Sequence, residues 1–148
     1  MSTSGSESRS GLVLELAEEF LDRYRVGQRP PLREYIERHP DLADEIREVF
    51  PAMAMMEKIA LAAHLLGKVS RPSEAAVRVE MKLRLQEALN SMDALDREVL
   101  ALRHFEHLSN AEAAEVLGIK EPAAGKRYLR ALERLREILA NIPGGMDL

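Results

Sequence analysis

The 148-residue sequence contains no cysteine and no tryptophan, and only three phenylalanines and three tyrosines. Without cysteine there can be no disulfide, no thiolate metal site and no cysteine nucleophile. Strand-forming residues are sparse, and no stretch alternates apolar with polar residues between turn signals. Long hydrophobic runs are also missing: none approaches the roughly 20 residues of a membrane-spanning helix. The first ten residues, MSTSGSESRS, are polar and lack the apolar centre of a secretory signal. A cytoplasmic protein without membrane association is therefore expected. Positive charge is in short supply too: 21 Lys and Arg face 25 Asp and Glu, a net charge of −4. Taken as uniform along the chain, that balance argues against a nucleic-acid partner.

What remains is rich in Leu, Ala, Glu and Arg, with apolar residues at helical spacing almost throughout, so the expected class is all-α. The length fits one medium domain or two small ones, and the pattern favours two. Residues 1–10 read as a disordered tail. Residues 11–67 read as a small helical bundle. Val13, Leu16, Ala17, Phe20, Leu21 and Tyr24 form its first stripe, which Gly27 stops. A short helix carrying Leu32, Tyr35 and Ile36 must end before Pro40. Leu42, Ile46, Val49 and Phe50 follow, and Pro51 either kinks that helix or opens a new, Met-rich one. Residues 68–73, KVSRPS, are the best linker. Residues 74–140 form the second module and 141–148 a tail.

The second module carries the informative constellation. Ser109-Asn110-Ala111-Glu112 is a capping box, with Ser109 and Glu112 each able to bond the other's backbone N–H. Gly118 stands where a helix C-terminus needs a left-handed residue, and Ile119 follows as an apolar plug. Glu121-Pro122 open the next helix, whose buried stripe is Ala124, Tyr128, Ala131, Leu132, Leu135, Ile138 and Leu139. Short helix, glycine turn and second helix make the helix-turn-helix plan. Ala114 and Ala124 are the small residues that let the two helices cross closely.

Charge is concentrated on that second helix. Residues 120–136 hold six cations (Lys120, Lys126, Arg127, Arg130, Arg134, Arg136) against two anions, a local +4, while the other 131 residues carry 15 cations and 23 anions, −8. Lys126, Arg130 and Arg134 recur every fourth residue with Arg127 alongside. They are expected on one solvent face opposite the apolar stripe, suited to phosphates and base edges in a major groove. The ordinary alternative is a solvated helix face. No catalytic constellation or cofactor motif appears. His104 and His107, three apart, lack the third ligand a zinc site needs and read as a partly exposed helix end.

The stretch LDREVLALRHFEHLSNAEAAEVLGIKEPAAGKRYLRALERLREIL, Leu95 to Leu139, resembles region 4 of sigma-70 factors of the extracytoplasmic-function type. The matching pieces are Leu95-Asp96-Arg97-Glu98, Leu102-Arg103, Leu108-Ser109, Glu112-Ala113-Ala114-Glu115, Leu117-Gly118-Ile119, Arg127 and Arg130-Ala131. The resemblance implies a domain that binds a −35-type promoter element in duplex DNA and touches the β-subunit flap of RNA polymerase. It implies that Lys126, Arg127 and Arg130 contact DNA and that Lys120 sits at the mouth of the groove. The family usually has a Thr-Val-Lys-like run where this sequence has Ala123-Ala124-Gly125. Gly125 removes a base-reading side chain there and leaves room for close approach to a phosphate.

Residues 11–67 do not resemble region 2, the promoter-melting part of a sigma factor. Instead FLDRYRVGQRPPLREYIERHPDLADEIREVFPAM resembles the helical segment preceding the catalytic domain of many planctomycete-type serine/threonine kinases. No kinase catalytic motif follows, so that resemblance implies an interaction role. Two functions follow as expectations. One is promoter recognition by a region-4-type protein. The other is an adapter that binds RNA polymerase or an anti-sigma partner without reading bases, with residues 11–67 as the recruiting surface.

Overall fold

The structure, a computed structural model, describes residues 2–64 and 72–141. Helix α1 spans Ser2–Arg25, α2 Leu32–Arg38, α3 Ala43–His64, α4 Pro72–Asn90, α5 Ala94–His104, α6 Asn110–Leu117 and α7 Glu121–Asn141, and a single 3₁₀ turn, Pro40–Leu42, precedes α3. The class is all-α. Residues 68–71 of the expected linker and 142–148 of the tail lie outside the described residues, and Pro72 already belongs to α4. No helix among the described residues is long and apolar enough to cross a membrane.

Local sequence explains where the elements stop and where one does not. His39, placed before Pro40, leaves the helical region at φ −139° and ψ 70°, and α2 ends at Arg38. Helix α3, by contrast, runs straight through Pro51 as one element. The residues on both sides of the proline, Val49, Phe50, Ala52, Met53, Met55 and Met56, are all buried. Packing of these turns holds the helix together across the missing hydrogen bond. Asp93 occupies the position before α5 but makes no side-chain cap.

An aromatic cluster sets the geometry of α1, α2 and α3. The Phe20 and Phe50 rings lie 4.7 Å apart, and Tyr35 meets Phe50 edge-on at 5.3 Å. Helix α7 lies against α1, α3, α4, α5 and α6, and its Tyr128, Leu132, Leu135 and Leu139 belong to the same core as Val13, Leu16, Val49 and Met53.

Residues from both sides of residue 70 contribute to one core. Periodicity pointed to one buried face on α7, but Gly125 and Leu129, on the adjoining face, are buried as well, which gives α7 a second partner. The residues read as a tail belong, from Ser2 onwards, to α1. Arg9 Nε donates to Glu45 Oε1 at 2.7 Å and its Nη2 to the Asp41 carbonyl, long-range contacts that a Ser-rich composition does not reveal.

Candidate nucleic-acid interface

Helix α6 is closed at both ends. Ser109 Oγ accepts from the Glu112 N–H at 3.1 Å, and Glu112 Oε1 accepts from the Ser109 N–H at 2.9 Å. The donors of Ser109 hold the Glu112 carboxyl below the usual carboxylate range. At the other end Gly118 is left-handed, φ 70°, where an L side chain is strained. Its N–H bonds back to Glu115, and the Ile119 N–H bonds to Ala114 at 3.0 Å, the paired bonds of a Schellman turn. Asn110 Nδ2 donates to the Glu121 carbonyl at 3.0 Å, tying the start of α6 to the start of α7. Ala114 and Ala124 are buried between the helices. Lys120, whose carbonyl accepts the Ala124 N–H at 2.9 Å, is exposed at the entry to α7.

Behind α7 lies a polar network that the sequence reading did not single out. His104 is fully buried, 0% exposed, rather than at a partly exposed helix end. Its Nδ1 is 2.8 Å from Glu57 Oε2 and its Nε2 2.8 Å from the Tyr128 hydroxyl. We assign the neutral tautomer with the proton on Nδ1, so that the ring donates to Glu57 and accepts from Tyr128. Burial holds His104 below the ordinary imidazole value despite its Glu57 partner. Burial also pushes Glu57 upward, but the bonds from His104 and Arg25 outweigh it, so its carboxyl stays below the usual range.

Arg25 Nε donates to Glu57 Oε1 at 2.8 Å, and Arg25 Nη2 donates to the Arg103 carbonyl at 3.0 Å. Arg103, only 2% exposed, pairs with Glu18, donates to the Leu108 carbonyl at 2.6 Å and lies 4.8 Å over the Tyr128 ring. The network thus joins α1 and α3 to α5 and α7. Two signals for it were present in the sequence. Tyr128 stands on a buried stripe with a hydroxyl that needs a partner, and Glu57 interrupts the Met-rich stripe of α3.

Three faces of α7 can now be distinguished. The first, with Ala124, Tyr128, Ala131, Leu132, Leu135 and Leu139, is buried in the core. The second faces α1 and α3. Gly125 is its closest point, since a Cβ built there would stand 2.7 Å from Leu14 Cδ2. The room at Gly125 is thus taken by Leu14 rather than left for a phosphate. Lys126 is half-buried and lines the clefts between α1 and α7, one of which it shares with Arg130. Arg136 bonds Glu48 at 3.1 Å on this side. Glu133 on this flank is raised above the usual carboxylate value by burial and by Glu48, Glu137 and Glu45.

The third face is open. It carries Ala123, Arg127, Arg130, Arg134 and Glu137 at spacings of three and four residues. Arg130 is exposed. Arg127 is half-buried, 3.8 Å from Asp96, and Arg134 is exposed and 3.2 Å from Glu137. Such solvent-facing pairs are weak and exchange readily for phosphate.

Comparison with known proteins bears on this segment. Residues 82–135 match the family described as Sigma-70, region 4. No curated protein matches the chain, and no solved structure matches it. Residues 82–135, from within α4 to within α7, thus match a sigma-70 region 4 helix-turn-helix, which supports a DNA-binding, transcription-related role in general.

Proposed function

We propose that this chain, built around a sigma-70 region 4 module at residues 82–135, binds duplex DNA through α7. In this reading it recognises a −35-like promoter element in transcription initiation or its regulation. The observation that carries the reading is the run Arg127, Arg130, Arg134 on one open face of the second helix of a doubly capped helix-turn-helix. The guanidinium groups neutralise phosphates and supply most of the affinity. Arg130, in the third turn, has the reach for a guanine edge. Lys120 adds charge at the groove mouth. Ala123 presents only a methyl group to the groove, so base reading rests on few side chains. In the same reading the module touches the polymerase β flap, and residues 11–67 offer a surface to an anti-sigma or other protein partner.

The adapter alternative keeps one observation in its favour: a flank of α7 is already covered by α1. Fluorescence anisotropy on a labelled promoter duplex across a salt series separates the two. The Arg127→Ala/Arg130→Ala chain should bind at least about tenfold more weakly at low salt, with a salt slope shallower by about two. If it binds as the wild type does, with the same slope, or if the wild type does not bind at low salt, the DNA reading fails. Capture of RNA polymerase by the full chain would then favour the adapter.

A further inference from the structure

The position of α1 has a steric consequence for groove entry. A major groove about 12 Å wide admits one helix, itself about 10–12 Å across with its side chains. Two helices packed with their axes about 8–10 Å apart do not fit together. The Leu14 contact on Gly125 brings α1 onto the backbone of α7 in its second turn. Arg130 of the open face lines one cleft together with Lys126 and Glu133, and Arg9, Ser10 and Val13 of α1 wall one side of that cleft.

Among the described residues no buried ion pair holds the same end of α1. Between Arg9 and Leu14 its holds are the buried Val13, Leu12 and Leu14 against the core, and the exposed Arg9, which bonds Glu45 and the Asp41 carbonyl. A cleft of 580 Å³ opens between Ser10, Gly11 and Leu14 on one side and Asn110, Pro122 and Gly125 on the other. The sequence here, SGSESRSG, is poor in helix formers. Gly11 weakens the helix further with no packing reason, since a Cβ there would meet nothing within 4 Å.

We propose that the start of α1, through Leu14, is an intramolecular latch that competes with DNA for the entry end of α7. Docked, it fills the flank that a groove wall must occupy. Released, it lets the first turns of α7 enter. The apparent affinity for DNA is then the intrinsic one scaled by the fraction of chains with the latch open. A partner that captures the N-terminal segment would switch DNA binding on. This inference rests on the DNA-binding reading above.

The test uses a disulfide in the full-length, otherwise cysteine-free chain. Leu14→Cys with Gly125→Cys places two thiols at the contact and relieves the crowding there. The oxidised chain should bind the labelled promoter duplex at least about tenfold more weakly than the same chain reduced. Equal affinity in the two states overturns the latch while leaving DNA binding intact. If neither the reduced variant nor the wild type binds at low salt, the DNA reading falls and the latch with it. Gly11→Ala provides a second arm that needs no crosslink. It strengthens the helix at an open position, so DNA affinity should drop by up to about fivefold. Unchanged or tighter binding overturns the proposal.

Discussion

Between Glu18 and Arg25, α1 is held by charged side chains that reach into the interior, Glu18 on Arg103 and Arg25 on Glu57. Between Arg9 and Leu14 the same helix is held by the exposed Arg9, on Glu45 and the Asp41 carbonyl, and by the aliphatic Leu12, Val13 and Leu14. The ion pairs are of the same chemical kind, yet their expected worth differs. A partner removed from a buried pair leaves its mate uncompensated in a low-dielectric interior, whereas an exposed pair is replaced by water. One helix can therefore be a fixed part of the fold at its C-terminal end and a separable element at its N-terminal end.

Breaking the interior end should give the largest effect. Glu57→Ala strands Arg25 and His104 together, and should cost about 3–5 kcal/mol in urea unfolding of the full chain. Tyr128→Phe keeps the ring in place and removes only the hydroxyl on His104 Nε2, so the loss should be about 1–2 kcal/mol. Acid should weaken the same end. The unfolded chain protonates His104 near the ordinary imidazole value, about 6.5, while the folded chain resists. This stability is present above that pH and is lost as the pH falls below it. Glu57, also depressed, extends the loss through the carboxylate range. The melting temperature should thus decline steadily from about pH 7 to about pH 4; a flat profile would mean that His104 is already charged in the fold. At the light end, Arg9→Ala should leave the melting temperature unchanged within error. A clear drop would erase the contrast between the two ends.

Much of this architecture was legible in the chain. The capping box at Ser109 and Glu112, the left-handed Gly118 and the stripe from Ala124 to Leu139 are local patterns, and local patterns fix a helix-turn-helix. The shared core was not legible, because nothing in the periodicity of α7 says which neighbour covers Leu129. Lys126 illustrates the same limit. Its spacing groups it with Arg130 and Arg134, but at about 100° per residue it lies some 40° from Arg130 toward α1, enough to half-bury it. His104 and Arg103 were hidden for a related reason. Polar residues near a helix end read as exposed until Glu57, Tyr128 and Glu18, distant in sequence, arrive as partners.

The crowding of α7 also bears on how chains of this type can diverge. Every residue on its core face answers to packing, and those on the second flank answer to α1 and α3. On its open face, positions 123, 127, 130, 134 and 137 can change with the least remodelling of a neighbour. Any drift in the DNA sequence preferred by such chains should therefore be written in those five letters, with Ala123 the one best placed to acquire a new reading side chain.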